Sequence, residues 1–321
     1  MIKTHLADKT TKLFFIPAPF SELSKEYDRT VSEVDKKYQS VAAAYKRNIC
    51  AALSTLSIPF YMAQSSVYSR RFQAAKTGER IRMMVKQLDD DFPKFKTDKE
   101  LEAYCERECD RIASGKVHDE TLKEKDNYAN QVLSELLSHS HNSDFYESSQ
   151  ELLLQGIVLV WASFEVFVRD FLTILLNSEI SVVQRAVTSP EITKILEIKN
   201  ISMEALLKHN LSIRNKFGDL VIGQKDFNSL PVIRTLFKEL FPKENSLHAS
   251  LKNPSLWMLF QKRHLIVHRR AVVDQKYISS TGDKVKIRAK LKVTPRQIEE
   301  HIKSSCDAVV ECLNLVLEIY S

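Results

Sequence analysis

The chain has 321 residues, 44% hydrophobic and 27% charged, with a formal net charge of +6. That length accommodates one large domain or two ordinary ones, and two are expected; six glycines and nine prolines are too few for a turn-rich all-β protein, so a mainly all-α fold follows. The charge favours an anionic partner without naming one, and an odd five cysteines with no secretory leader before them point to a reducing cytoplasm.

In chain order, residues 21–56 set Val31, Val34, Tyr38, Val41 and Tyr45 at helical spacing among alternating charges, which predicts an exposed amphipathic helix. A second helix is predicted through 70–88, ending in a loop around Pro93. A third, from about Asp98 to Ala113, should stop before Ser114-Gly115. The stretch SHSHNSD at 138–144 is small and polar and predicts a linker. It separates a charged, helical N-terminal region, 1–142, from a second domain, 143–321. His139 and His141 alternate in that serine-rich stretch with no cysteine nearby, and Cys105, Cys109 and His118 lack a fourth ligand, so no metal is expected at either place.

The most apolar stretch, Leu152 to Leu176, is interrupted by Glu165, Arg169 and Asp170, short of the roughly 20 apolar residues of a membrane span. A buried helix over 148–177 is expected, with no membrane anchor. Glu165 and Arg169 lie four apart, at the spacing of an intrahelical salt bridge; alternatively Glu165 orients Arg263. A helix follows around 192–207, and another begins after Pro254 and Ser255. Residues 277–294 then change period. Val285, Ile287, Ala289, Leu291 and Val293 alternate with Lys284, Lys286, Arg288, Lys290 and Lys292, which predicts a strand with one basic face after a Gly282-Asp283 turn. Thr294, Pro295 and Gln297 announce the final helix as a capping box with proline at its first position.

The segment KRHLIVHRR, 262–270, carries the densest chemistry. Leu265, Ile266 and Val267 are expected to pack its helix, while His264 and His268 share one face. Arg263 and His268 stand about 140° apart around a helix, so they line two walls of a groove. From Lys262 to Arg296 eleven cations, among them Arg269 and Arg270, face only Asp274 and Asp283, the footprint of a polyanion such as RNA. Histidine beside arginine suits phosphodiester chemistry. Imidazole can move the proton of a 2′-hydroxyl near neutral pH, and guanidinium can hold the charge of a phosphorane. No metal and no cofactor are required, and no glycine-rich phosphate loop is present.

Arg263-x-x-x-x-His268, written RHLIVH, resembles the arginine–histidine signature of HEPN domains, with His264 at the usually polar place after the arginine. The long apolar helix with Glu165 and Arg169 four apart, a variable middle, the motif helix and a closing helix are similar to the family's order over about residues 146–321. Val273-Asp274-x-x-Tyr277 and Thr281-Gly282-Asp283 resemble the continuation seen in a bacterial subgroup. The resemblance implies a helical bundle with a short β excursion and a metal-independent endoribonuclease. It further implies dimers that meet through the motif helices, so that two copies of Arg263 and His268 form one composite site. Asp274 and Tyr277 take supporting roles, and relatives include toxins and anti-phage effectors restrained by an antitoxin or sensor protein. Members silenced by nucleotidyl transfer carry a tyrosine where this chain has Arg270, which speaks against that control here. Two other readings stand beside the nuclease: a module that grips RNA or a nucleotide without cutting, and a scaffold whose N-terminal half binds a partner protein.

Overall fold

The structure, a computed structural model, describes residues 4–208, 210, 213–222, 227 and 229–320. Helix α1 (Thr4–Leu13) is followed by a stretch expected as one helix that forms three: α2 (Phe20–Leu23), α3 (Tyr27–Glu33) and α4 (Lys36–Leu56). The breaks fall at Ser24 and Val34, where the backbone turns extended. A straight helix would hold Phe20 and Tyr45 roughly 37 Å apart. The bends instead bring both onto Tyr27, at ring separations of 5.2 and 6.0 Å.

Helices α5 (Ile58–Lys86) and α6 (Asp98–Lys123) are both longer than expected. Thr97 caps α6 by accepting the Glu100 N–H. Gly115 does not end α6, because Cys109, Ala113 and Val117 continue a buried stripe at four-residue spacing while Gly115 faces solvent. Then come α7 (Lys125–Ser138), a single 3-10 turn at His139–His141 where the linker was expected, and α8 (Ser143–Ser178). The remaining helices are α9 (Ile180–Thr188), α10 (Pro190–Ile195), α11 (Met203–Lys208), α12 (Phe217–Ile222), α13 (Leu230–Leu240), α14 (Ser246–Leu251), α15 (Pro254–Arg269), α16 (Gln275–Thr281) and α17 (Pro295–Tyr320).

These elements form two compact units, residues 1–16 with 57–149 and residues 17–56 with 150–321. The boundary near 142 suggested by the polar stretch therefore lies close to that at 149, while 17–56 groups with the C-terminal half. In the first unit Phe14, Ala63, Val67, Val132 and Leu136 make a core cluster flanked by Phe60, Tyr128 and Phe145. Ion pairs stitch α5 to α6: Lys76 and Arg80 to Glu106, Lys76 to Asp110 at 2.6 Å, and Lys116 to Glu79.

The second unit is built around α8, the one described helix long and apolar enough to cross a membrane. Trp161, Phe164, Phe167, Phe171 and Leu175 on it are fully buried in the unit's core. Tyr38 and Tyr45 of α4 meet Phe171 and Phe167 at 5.6 and 5.8 Å, and Phe237 of α13 meets Phe171 at 6.2 Å. Tyr45 also shares a 2.7 Å hydrogen bond with Ser305 of α17. Helix α12 approaches the α8 backbone so closely that a Cβ on Gly218 would fall 2.1 Å from the Thr173 carbonyl oxygen. At the start of α17, Thr294 accepts the Gln297 N–H and Gln297 accepts the Thr294 N–H, the two halves of a capping box.

No strand forms among the described residues, so the β excursion expected at 277–294 is corrected. Tyr277 belongs to α16, and the alternating stretch beyond it makes one isolated antiparallel bridge, Val272 with Lys290. Period-2 alternation needs a partner strand to become a ladder. Here the neighbour is only the turn 271–273, and Arg288 sits at φ 66°, outside the extended region. Leu291 and Val293 are nonetheless buried, Val285 and Ala289 half-buried and Ile287 exposed, so the apolar face is real at its C-terminal end.

Candidate active site on helix α15

Helix α15 begins where Asn253 accepts the Ser255 N–H at 2.8 Å and Pro254 supplies the first helical φ. Leu256, Leu259, Lys262 and Leu265 form its buried ridge at three-residue spacing. The expected packing of Leu265, Ile266 and Val267 is corrected. Only Leu265 is buried, Ile266 is half-buried and Val267 is 47% exposed. Three consecutive helical residues fan over about 200°, too wide for one buried face.

The helix ends without glycine. Arg270 at φ 51° and Ala271 at φ 61° both occupy the left-handed region, and the N–H groups of both donate to the Leu265 carbonyl. For side chains other than glycine this costs about 1–2 kcal/mol each, so the turn at the end of the motif is strained.

His264 and His268 stand one turn apart with ring centroids 4.6 Å from each other. His268 is exposed and His264 half-buried. Burial, then the neighbouring charges of His268, Lys276 and Arg263, push His264 below the ordinary imidazole value, against the pull of Asp274. An aromatic row supports the pair from behind: Phe260 lies 6.5 Å from His264, 5.6 Å from Trp257 and 5.2 Å from Trp161 of α8. Arg263 is half-buried, and no hydrogen bond joins it to His268, in keeping with their angular separation.

Glu165 accepts the Trp161 indole N–H at 3.1 Å, which attaches it to the same aromatic row, whereas Arg169 bonds its own neighbour Asp170 at 3.2 Å. Asp274 caps α16 by taking the Tyr277 N–H at 2.8 Å and lies 3.6 Å from Arg269. Tyr277, buried, donates its hydroxyl to Asp283 at 2.8 Å, and α16 closes on Gly282 at φ 68°, a conformation glycine adopts without penalty. Asp274 and Tyr277 thus fix the chain that follows the motif.

Lys284, Lys286, Arg288, Lys290 and Lys292 are all exposed. The segment is held beside the strained turn by the Val273 N–H to Ala289, the Arg288 N–H to Val273 and the Leu291 N–H to Ala271, at 2.7–2.9 Å. Lys290 is ion-paired with Glu151 of α8. The predicted residues Arg263, His264, His268, Arg269, Arg270 and the lysine segment therefore share one region, while Arg169 is engaged locally.

A buried polar trio went unpredicted. Lys262, 1% exposed, places Nζ 3.4 Å from Nε2 of His301, whose Nδ1 is 2.9 Å from Ser255 Oγ. An ammonium group only donates, so His301 accepts at Nε2 and carries its proton on Nδ1. Burial pushes Lys262 down to about 8, opposed by Asp283 and Glu300, and burial followed by Lys262 pushes His301 down to about 3. Lys262 falls midway between Leu259 and Leu265, and that spacing was the signal that could have placed it inside.

No group of three His, Cys, Asp or Glu among the described residues is disposed to hold a metal. Comparison with protein-family models, with curated proteins and with solved structures gave no match.

Proposed function

We propose that the unit formed by residues 17–56 and 150–321 is a HEPN-type, metal-independent endoribonuclease that works as a homodimer through its motif helices. One observation carries this: His264 and His268, 4.6 Å apart at the accessible end of α15, adjoin Arg263 and a row of exposed cations. RNA phosphates lie on Arg269, Arg270, Lys284, Lys286, Arg288, Lys290 and Lys292, and the surface ion pairs of Arg269 and Lys290 are weak enough to exchange for phosphate. His268 takes the proton of a 2′-hydroxyl, the 2′-oxygen attacks phosphorus, the bond from phosphorus to the 5′-oxygen breaks, and the proton is returned to that oxygen. Arg263 holds the charge on the phosphorane. His264, kept mostly neutral at pH 7, hydrogen-bonds substrate or its neighbouring ring. Glu165, Asp274 and Tyr277 act as positioning residues through the contacts described above.

Exposed Val267, Val272 and Ile287 leave apolar surface in the motif region that a second copy would cover. The resemblance to HEPN toxins and defence effectors extends the proposal to a cytoplasmic role under the restraint of an antitoxin or sensor protein. The test is incubation with mixed RNA in EDTA, comparing the protein with its His268→Ala and Arg263→Ala variants and analysing the new ends. Cleavage leaving 2′,3′-cyclic phosphate and 5′-hydroxyl ends is expected, reduced on the order of 10²-fold or more by His268→Ala. Cleavage that survives both substitutions refutes the assignment. Salt-sensitive RNA binding with no cleavage favours the binding module instead.

A further inference from the structure

On the second unit, away from the motif histidines in sequence, α13, α14 and the loop between them line a half-open cavity of about 170 Å³. Its lining is apolar at buried Leu251 and exposed Pro242, and it also carries Arg234, Lys238, His248 and Lys252. The charge is lopsided. The single carboxylate on the wall, Glu244, is 89% exposed and already stands 3.8 Å from Lys252.

Arg234 is the central group. Its Nε donates to the Leu251 carbonyl at 2.7 Å, fixing the guanidinium at the end of α14, and its planar head stacks 5.3 Å from the Trp257 ring. It is half-buried, and among the described residues no carboxylate lies within ion-pair distance. A guanidinium has five N–H donors, of which the Leu251 bond uses one. A partly desolvated, rigidly held cation with spare donors, facing a cavity and lacking an internal counter-ion, is the arrangement by which proteins bind oxyanions. His248 is likewise held, with Nε2 3.4 Å from the Phe237 carbonyl.

Size sets the rest of the ligand. A dry cavity of about 150 Å³ accommodates benzene, whereas sites for drug-sized molecules run from about 300 Å³ upward. A whole nucleotide does not fit. We infer that this cavity is a binding site for a small organic anion, a single carboxylate or phosphate on an apolar body about the size of one ring, with the oxyanion on Arg234 and the body over Leu251 and Pro242. This site is independent of the nuclease proposal and uses none of its residues.

Trp257 provides the readout, since the chain has only two tryptophans and the other, Trp161, is fully buried. The full-length protein is titrated with benzoate, with phenyl phosphate and with the neutral analogue benzyl alcohol, following tryptophan emission, with calorimetry as a second signal. Both anions are expected to bind saturably, with dissociation constants on the order of 1 mM or below, and the alcohol at least tenfold more weakly. Arg234→Gln should weaken the anions about tenfold or more. Because that change also disturbs the Leu251 carbonyl bond, the exposed pair Lys238→Gln with Lys252→Gln is tested alongside. It should weaken binding several-fold and flatten its dependence on salt. Equal binding of the neutral alcohol, anion binding that survives all three substitutions, or no saturable binding of either anion overturns the inference.

Discussion

Replacing Lys262 with methionine should stabilise the protein at pH 7 and change how its stability depends on pH. The ammonium is 1% exposed, and its nearest polar partner is a neutral imidazole 3.4 Å away. Burial lowers it from an ordinary value near 10.5 to about 8. At 1.36 kcal/mol per tenfold, that gap means the charged form costs about 3 kcal/mol inside the fold below pH 8. Methionine has similar length and no charge to desolvate, but it leaves His301 Nε2 without a donor, at about 1–2 kcal/mol. A net gain of about 1–2 kcal/mol remains. Between pH 8 and 10.5 the unfolded chain keeps the lysine proton that the folded chain has released, so wild-type stability climbs with pH across that window and Lys262→Met lacks the climb. The advantage of the variant should therefore be largest at or below pH 7 and shrink, by about 3 kcal/mol, as pH approaches 10.5. Urea unfolding of both proteins at pH 7, 8, 9 and 10, followed by far-ultraviolet circular dichroism, measures this, because other titrating groups cancel in the difference. A difference that does not vary with pH, or a variant destabilised by several kcal/mol at pH 7, would refute it.

Gly218→Ala should destabilise the second unit by about 3 kcal/mol, since the added Cβ meets the Thr173 carbonyl oxygen at 2.1 Å and backbone has little room to yield. Gly115→Ala is the matched control: nothing lies within 4 Å of its Cβ, and removing a mid-helix glycine should stabilise α6 by up to about 1 kcal/mol. Opposite shifts in the urea midpoint are expected, and two shifts of the same sign would contradict the packing. Arg270→Gly relieves a left-handed arginine at φ 51° and should raise stability by about 1 kcal/mol in thermal melts, while removing one cation from the proposed RNA surface. A lowered melting temperature would mean that the arginine side chain holds the turn together.

Local chemistry made several features legible in advance. Thr294 and Gln297 are a capping box because hydroxyl and amide at that spacing reach each other's N–H groups whatever lies around them. The aromatic and aliphatic stripe of α8 could only be satisfied by burial, and Pro254, ahead of a helical pattern, is compatible with its first turn but not its interior. His264 and His268 were bound to meet, since four residues is one turn.

Other features depended on neighbours distant in sequence. Alternation at 284–293 did not become a strand, because a ladder needs a partner and the fold supplies only the turn at 271–273. Gly115 did not end α6, because the buried stripe through Ala113 and Val117 continued past it. The break-up of 21–56 followed from the gain in clustering Phe20, Tyr27 and Tyr45, which no straight helix could bring together.

The amino-acid sequence by itself thus determined a mainly helical chain, the positions of its strongest caps, and a helix bearing Arg263, His264 and His268, because these depend on residues within a turn or two of each other. Only the tertiary structure decided that Lys262 lies inside against His301 and Ser255, that residues 288–291 are held against the turn at 271–273, and that Arg234 lines a cavity beside Trp257. Each of those depends on which distant side chains share a low-dielectric interior, where the cost of an unpaired charge or a lost hydrogen bond is set by the company the fold provides.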